Sequence, residues 1–235
     1  MSAQDTFSRR STNRLTTHDL GRFPGETLFA RIARQVCLAG CLPRKEFYET
    51  WEVATRIRRR IRGRRVVDLA GGHGLLAHVL LLLDDSSANA IVVDPLVPPS
   101  SAQLHAALVA AWPRLSGRVA FTGNPIEDVP VLPTDLVVSV HACGALTDMV
   151  LDRARTASAT VAVLPCCHDI SRSDSGGLGG WMDPALAIDA TRAQRMSQAG
   201  YVVHTTTIPE DITPRNRLLI ATPGRDANSR RGNDL

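Results

Sequence analysis

The sequence lacks the features that direct a chain into a membrane or stabilise it in an oxidising compartment. Its 235 residues contain no apolar run that approaches the ~18 residues of a membrane span. The first 20 residues are polar and have no hydrophobic core of the kind found in signal peptides. The five cysteines are an odd number, which argues against a disulfide framework. Together these absences predict a cytoplasmic protein with no membrane segment.

Aromatic residues and lysine are also scarce. Phe, Trp and Tyr make up 4% of the chain, so a platform for stacking nucleic-acid bases is not evident. Of the 27 basic residues only Lys45 is a lysine, and the formal net charge is +4. Because arginine is the default polar residue of this chain, a single arginine carries little weight as a functional signal, whereas Lys45 draws attention.

Strand and helix patterns alternate from residue 64 onward, and 44% of the residues are hydrophobic, enough for one well-filled core. The strand runs are nearly continuous in Val, Ile, Leu and Ala, which is typical of a sheet buried on both faces. The sequence predicts an α/β fold: a doubly wound, mostly parallel seven-stranded sheet with an antiparallel terminal hairpin and N-terminal helices. The predicted strands are 66–70, 89–94, 118–122, 135–141, 159–164, 201–208 and 216–222, and the predicted helices are 26–39, 43–61, 74–83, 99–112, 146–156 and 184–199.

The chain is expected to have four parts. Residues 1–24 are polar and predict a flexible or loosely packed arm. Residues 25–63 form an N-terminal helical segment, and residues 64–222 form the α/β domain. The polar stretch 223–235 is predicted to be a disordered tail.

A glycine-rich turn follows the first predicted strand. The turn, Ala70-Gly-Gly-His-Gly74, is followed at once by an apolar helix. Glycine permits a sharp turn and lets a ligand lie against bare main chain. A dinucleotide fingerprint requires glycines at offsets 0, 2 and 5, but those offsets fall on Ala70, Gly72 and Leu75. The pattern that fits is acid-x-Gly-x-Gly-x-Gly, with Asp68 as the acid and Ala70 in the first glycine position.

This turn resembles motif I of the S-adenosylmethionine (SAM)-dependent methyltransferases, and the resemblance implies SAM as the cofactor. The carboxylate of Asp68 would then face the positively charged end of SAM. Asp94 ends the second strand 20 residues beyond the turn, where an acid accepts hydrogen bonds from ribose hydroxyls. Asn124 follows the third strand and can bind the adenine edge through its amide. The predicted cofactor-binding residues are Asp68, Ala70, Gly71, Gly72, His73, Gly74, Asp94, Asn124 and His141.

Histidine, cysteine and acidic residues cluster after the fourth and fifth predicted strands, in His141-Ala-Cys-Gly, Thr147-Asp148 and Pro165-Cys-Cys-His168. Ligands of open α/β sheets bind outside the carboxyl ends of the strands, so these side chains could share one pocket as base, nucleophile or metal ligand. Each also has a purely structural interpretation, as a helix cap, a packing residue or a solvated histidine. The candidate catalytic residues are His168, Asp148, Cys166, Cys167 and Cys143, and no metal site is predicted.

The segments 141–148, His-Ala-Cys-Gly-Ala-Leu-Thr-Asp, and 166–168, Cys-Cys-His, resemble the paired motifs of one methyltransferase family. That family includes the eukaryotic tRNA ribose 2′-O-methyltransferases and related methyltransferase-like proteins. Lys45 matches the family's lysine-containing helix before motif I, and the resemblance covers roughly residues 43–222. The chain departs from the family at Ala70 and His73, where Gly and Lys are more common, and it has no separate zinc-finger or RNA-binding module.

The sequence therefore predicts a SAM-dependent methyltransferase with RNA, such as tRNA or rRNA, as a candidate acceptor. A ribose hydroxyl is a poor acid and requires a base, for which His168 is the first candidate and Asp148 the second. The basic segment Arg56–Arg65 could contact phosphates. A small molecule or a protein is the alternative acceptor, and nothing in the sequence indicates an oligomeric state.

Three other interpretations stay open at this point. The chain could be a catalytically silent methyltransferase fold that serves as a binding module. It could be a metalloprotein that uses Cys143, Cys166, Cys167 and His168. Cys166 follows Pro165, as nucleophilic cysteines do in some pyrimidine C5-methyltransferases, so it could also be a covalent nucleophile.

Overall fold

The computed structural model describes residues 7–224, which fold around one seven-stranded sheet. The strands are β1 (Val66–Leu69), β2 (Ala90–Val93), β3 (Val119–Thr122), β4 (Leu136–Ser139), β5 (Thr160–Val163), β6 (Tyr201–Thr207) and β7 (Arg217–Pro223). Their order is β3-β2-β1-β4-β5-β7-β6. The first five strands are parallel, and β7 runs antiparallel to both β5 and β6. This arrangement confirms the predicted doubly wound sheet with an antiparallel terminal hairpin.

Six α-helices connect and cover the strands. They are α1 (Leu28–Ala39), α2 (Arg44–Arg58), α3 (Leu75–Leu83), α4 (Ser101–Ala111), α5 (Ala145–Ala157) and α6 (Pro184–Gln198). The second helix ends earlier than the predicted Ile61, because the amide of Arg60 bonds the carbonyl of Ile57 and tightens the chain into a turn. Among residues 7–224, no helix combines the length and the apolarity that a bilayer crossing demands.

Helix α3 is apolar on all sides except at His78, and it is buried along almost its whole length. Its residues from Leu75 to Leu82 are buried, and α3 packs against β1, β2 and α2. An amphipathic stripe is therefore unnecessary on this helix. By packing on α3, helix α2 brings its N-terminal half over the carboxyl ends of the parallel strands, where the candidate site lies.

Residues 7–24 are packed, in contrast to the flexible arm predicted for residues 1–24. Leu15 is fully buried and its amide donates to the carbonyl of Leu42. Phe23 is buried and makes edge-to-face contacts with Phe7, Phe29 and Phe47. Aromatic pairs of this geometry add about 0.5–1.5 kcal/mol each beyond the apolar area that they bury. The few apolar residues of this polar stretch thus hold it against the helices. Residues 1–6, and most of the predicted tail, lie outside the described residues.

Candidate active site

The glycine-rich turn after β1 adopts left-handed backbone at alternate positions. Ala70, Gly72 and Gly74 have φ angles of 55°, 52° and 74°. A β-carbon on Gly74 would lie 2.8 Å from the side chain of Val92 on β2, and one on Gly71 would meet Val92 at the same distance. A β-carbon on Gly72 would have no neighbour within 4 Å, so this glycine faces open space. The packing of the turn on β2 thus requires glycine at positions 71 and 74, whereas Gly72 leaves the main chain accessible to a ligand.

Asp94, at the end of β2, holds the turn in place. One carboxylate oxygen accepts from the amide of Gly72 at 3.0 Å, and the other accepts from the amide of Leu96 at 2.9 Å. Each oxygen retains a second lone pair. The carboxylate is therefore fixed in orientation and still able to accept hydrogen bonds from a ligand.

Asp68 is the most deeply buried acid of this group, with 1% of its surface exposed. It accepts a hydrogen bond from the amide of Ala77 at 3.3 Å. Burial, assisted by the negative charge of Asp94, raises the pKa of Asp68 from 3.8 to about 7. Near neutral pH this carboxyl is consequently poised between its two protonation states.

A cavity of about 600 Å³ lies over these strand ends. Most of the predicted cofactor-binding residues line it: Asp68, Ala70, Gly71, Gly72, His73, Asp94 and His141. Gly74 lies beneath the turn and not in the lining. Asn124 is exposed and also outside the lining, whereas Pro125, Ile126 and Glu127 follow it and do contribute. The structure thus brings seven of the nine predicted residues to one cavity.

Helix α2 supplies part of the cavity wall, which the sequence did not predict. Glu46 and Thr50 line the cavity, together with Leu42 just before the helix. Burial and the neighbouring Glu49 raise the pKa of Glu46. The only sequence signal near these residues is Lys45, whose ammonium pairs with Glu49 at 3.4 Å.

His141 enters the cavity from the loop after β4. Burial, and secondarily the positive charge of Lys45, lower the pKa of His141 to about 4. Its imidazole is therefore neutral at neutral pH and can accept a hydrogen bond from a ligand.

The three cysteines of the predicted cluster do lie together. Their sulfur atoms are all within 4.8 Å of one another, and the Sγ atoms of Cys143 and Cys166 are 3.0 Å apart. Cys143 and Cys167 are exposed, and Cys166 is half-buried. Burial is the main cause that raises the pKa of Cys143 and of Cys166. None of the three lines the cavity.

His168, the first candidate base, has partners on both ring nitrogens. Arg215 donates to Nδ1 at 3.0 Å, and Nε2 donates to Asp189 on α6 at 2.7 Å. Its side chain is only 1% exposed. The structure therefore brings His168 into a network of charged side chains and not into the lining of the cavity.

Asp148, the second candidate base, belongs to the same network. Arg192 on α6 donates to both oxygens of Asp148, at 2.9 and 2.7 Å, and also to Asp189 and to the carbonyl of Gly144. Arg217 on β7 donates to the other oxygen of Asp189. Arg192, at the centre of this array of ion pairs, is 2% exposed, whereas the outer members Asp148 and Arg217 are each 30% exposed. No pattern in the sequence predicts its members on α6 and β7, because charged residues there resemble an ordinary solvated surface.

The basic segment Arg56–Arg65 is used mainly for structure. Arg58 donates to the carbonyl of Leu83, Arg64 to that of Thr134, and Arg65 makes a double hydrogen bond to the buried Asp135. The remaining exposed arginines of the segment are Arg59, Arg60 and Arg62. Arg59 and Arg60 form one patch with Arg56 and with His204 on β6, and Arg62 is exposed two residues further along the chain.

Comparisons with known proteins agree with this geometry. A family model described as a methyltransferase domain matches residues 45–172. A glutathione S-transferase C-terminal domain-containing protein homolog from Drosophila pseudoobscura pseudoobscura is 28% identical over 198 residues, which cover 67% of this chain and 33% of that protein. The chain thus spans about a third of the length of this relative.

Two solved structures share the fold. An O-methyltransferase family protein from Burkholderia thailandensis aligns with a TM-score of 0.53 and 20% identity, over 88% of this chain and 63% of that one. The S-adenosylmethionine-dependent methyltransferase SibL aligns with a TM-score of 0.51 and 19% identity, over 91% of this chain and 67% of that one. At this level of identity the likeness concerns the fold.

Proposed function

The chain belongs to the methyltransferase domain family, and from this premise we propose that it is a SAM-dependent methyltransferase whose acceptor is RNA. The cavity over β1 and β2 is the site of methyl transfer in this proposal. The observation that carries the choice of acceptor is the exposed arginine patch at the far end of α2, because a small acceptor would have no contact with it.

The cavity fits SAM in size and in chemistry. Its volume of about 600 Å³ lies in the range of small-molecule sites. The bare main chain at Gly72 permits close approach, and Asp94 offers lone pairs to ribose hydroxyls. Asp68 offers a carboxylate to a positively charged group. SAM, when bound, supplies the electrophilic methyl group.

His141 is the side chain of the cavity best suited to orient an acceptor. It is neutral at neutral pH and lies in the lining, so it can accept a hydrogen bond from an acceptor hydroxyl. Alignment of an acceptor with the methyl group accounts for much of the rate in an in-line displacement. His168, in contrast, would have to lose its hydrogen bond from Arg215 before it could accept a proton.

The two histidines can be separated by substitution. We expect His141→Ala to lower kcat by about 10²-fold, and we expect His168→Ala to act mainly through stability. The measurement is kcat together with the melting temperature of each variant. A large loss of kcat in His168→Ala, with an unchanged melting temperature and a normal rate in His141→Ala, would return the role of base to His168.

The arginine patch lies far from the cavity along α2. Glu46 and Arg58 are 12 residues apart, or about 18 Å at the rise of an α-helix. A ligand that contacts both the cavity and the arginine patch must be extended, and the part that binds the arginines must be negatively charged, as RNA is. Trp181, in the loop between β5 and α6, is 87% exposed and can stack on a base.

The test of the acceptor is the salt dependence of RNA binding and methylation. Each phosphate contact to single-stranded RNA adds about −0.7 to the slope of log K against log salt. Replacing Arg59, Arg60 and Arg62 together by Gln should therefore make the slope about 2 less negative. The matched control is Arg22→Gln, Arg155→Gln and Arg195→Gln, since each of these arginines is exposed and already paired with an acid. A slope near zero in the parent protein, or equal slopes in the two triple variants, would remove RNA as the acceptor.

A small-molecule acceptor is the second candidate. It is favoured by the apolar side chains in the cavity wall, among them Leu42, Leu146 and Met149. Methylation of a hydroxylated small molecule at a rate insensitive to the triple arginine substitution, with no labelling of any RNA pool, would support this candidate.

A further inference from the structure

The cysteine cluster brings together residues from two separate loops. Cys143 follows β4, whereas Cys166 and Cys167 follow β5. The two loops are joined by a hydrogen bond from the amide of Gly144 to the carbonyl of Cys167 at 3.1 Å. Gly144 has φ 56° and ψ −127°, a conformation open essentially to glycine alone. The backbone is thus specialised at the point where it delivers Cys143 to the other two thiols.

The spacing of the sulfur atoms suits one tetrahedral metal ion. With metal–sulfur bonds of about 2.3 Å, thiolates around zinc lie about 3.8 Å apart. The three sulfurs here lie within 4.8 Å of one another, and the Cys143–Cys166 pair is at 3.0 Å. A disulfide would join only two sulfurs and would leave Cys167 without a role. Iron–sulfur clusters generally require four cysteines, and the two other cysteines of the chain, Cys37 and Cys41, are buried in and just after α1.

His168, although adjacent in sequence, is not the fourth ligand. Both of its ring nitrogens are held by Asp189 and Arg215, and a metal ligand needs one of them free. Because Cys143 and Cys167 are exposed, the fourth position opens toward solvent. Lys45 is close enough to act electrostatically on Cys143, and it offers a positive charge beside three thiolates on a divalent ion, whose net charge is −1.

We propose that Cys143, Cys166 and Cys167 bind one Zn²⁺ ion and that a water or an exchangeable ligand completes its coordination. The ion ties the loop after β4 to the loop after β5, next to the cavity wall that carries His141. Three protein ligands with one open position is the arrangement of exchangeable zinc sites. This site is separate from the cofactor cavity, so it does not depend on the proposed methyl transfer.

The test is metal stoichiometry in the full chain, purified with reductant and dialysed against Zn²⁺. We expect one zinc per chain by elemental analysis, and we expect Co²⁺ in its place to give the intense visible bands of tetrahedral thiolate coordination. Cys143→Ser and Cys167→Ser should each lower the zinc affinity by at least tenfold. Both positions are exposed, so these variants should fold, and circular dichroism will check that they do.

Two control variants decide the assignment. Cys37→Ser alters a thiol outside the cluster and should retain one zinc per chain. His168→Asn should also retain it, because His168 is not a ligand. Less than 0.2 zinc per chain in the reduced parent, or equal zinc in the parent and in Cys143→Ser, would overturn the proposal. A Cys143–Cys166 disulfide that forms in reductant-treated protein in the presence of Zn²⁺ would overturn it as well.

Discussion

The two halves of the candidate active site are held together by different means. In the cofactor half, after β1 and β2, main-chain amides hold the two carboxylates: the amide of Gly72 donates to Asp94, and the amide of Ala77 donates to Asp68. The part after β4 and β5 that contains the candidate bases predicted from the sequence, which we call the acceptor half, lies outside the cavity lining and is held by side chains of opposite charge, with Arg192 at the centre. The cofactor half is thus formed by some 27 consecutive residues, whereas the acceptor half depends on side chains from the distant elements α6 and β7.

This difference has an energetic consequence. Loss of one side chain from the turn removes one or two amide hydrogen bonds, each of which contributes about 1.5–3 kcal/mol because its acceptor is a carboxylate. Removal of Arg192 from the array costs more, because Asp148 loses the cation that binds both of its oxygens, and Asp189 keeps only His168 and Arg217. The acceptor half should therefore be the more sensitive of the two to single substitutions.

The sharpest test of the comparison is Arg192→Leu. This change leaves Asp148, Asp189 and the carbonyl of Gly144 without their shared donor. We expect a loss of about 3 kcal/mol in the free energy of unfolding, the lower end for a broken buried pair, because Asp148 is 30% exposed and Asp189 keeps Arg217. The measurement is urea denaturation at neutral pH. Arg195→Leu is the control three residues along α6, where an exposed pair with Asp174 should contribute less than ~1 kcal/mol. Similar losses in the two variants would mean that the array is not what holds the acceptor half.

The second test concerns Asp68 and the pH. Its pKa is about 7 in the folded protein and 3.8 ordinarily, so the folded state binds more protons and ionisation opposes folding. The stability that Asp68 contributes is fully present below pH 4 and is lost as the pH rises through 7. Asp68→Asn should remove this decline, which thermal unfolding of the ligand-free protein between pH 5 and 8 will measure.

Ligand binding should show the opposite dependence on pH. A positively charged cofactor prefers the ionised carboxylate, so SAM affinity should rise with pH by up to about tenfold per unit below pH 7. Asp68→Asn should bind SAM more weakly and with a flat pH profile. A parent profile that is already flat would place the positive charge of SAM away from Asp68.

The same comparison explains how far the sequence could be interpreted. The cofactor half was predictable because its signal is contiguous: an acid, a glycine-rich turn and a second acid 20 residues beyond it. In the acceptor half the three cysteines lie together, but outside the cavity, so their catalytic role stays a prediction. The sequence did not predict the partners of His168 and Asp148, because Asp189, Arg192 and Arg215 follow no spacing rule relative to them.

Helix α2 and the residues before it show a second limit of prediction from the sequence. Glu46 and Thr50 reach the cavity because α2 packs on α3, and the apolar periodicity of α2 predicts a buried face but not which helix covers it. Likewise Phe7, Leu15 and Phe23 are isolated apolar residues in a polar stretch, so the pattern predicted an arm. Their burial follows from the aromatic cluster on α1 and α2, which forms only in the folded chain.

The smallest expected effect comes from Ala70→Gly in the cofactor half. Ala70 and Ser158 are the two residues other than glycine with positive φ between residues 7 and 224. Left-handed backbone costs an L-residue about 1–2 kcal/mol, which glycine does not incur. The greater conformational freedom of glycine in the unfolded chain offsets about 0.4–1 kcal/mol of this gain in stability. We therefore expect each of Ala70→Gly and Ser158→Gly to stabilise the protein by about 0.5 kcal/mol in urea denaturation.

Ser158 lies at the end of α5, outside the cavity, so Ser158→Gly should leave SAM affinity unchanged, whereas Ala70→Gly should change it by a few-fold through the more mobile turn. If Ala70→Gly instead destabilises the protein while Ser158→Gly stabilises it, the methyl group of Ala70 contributes more by packing than its backbone loses by strain.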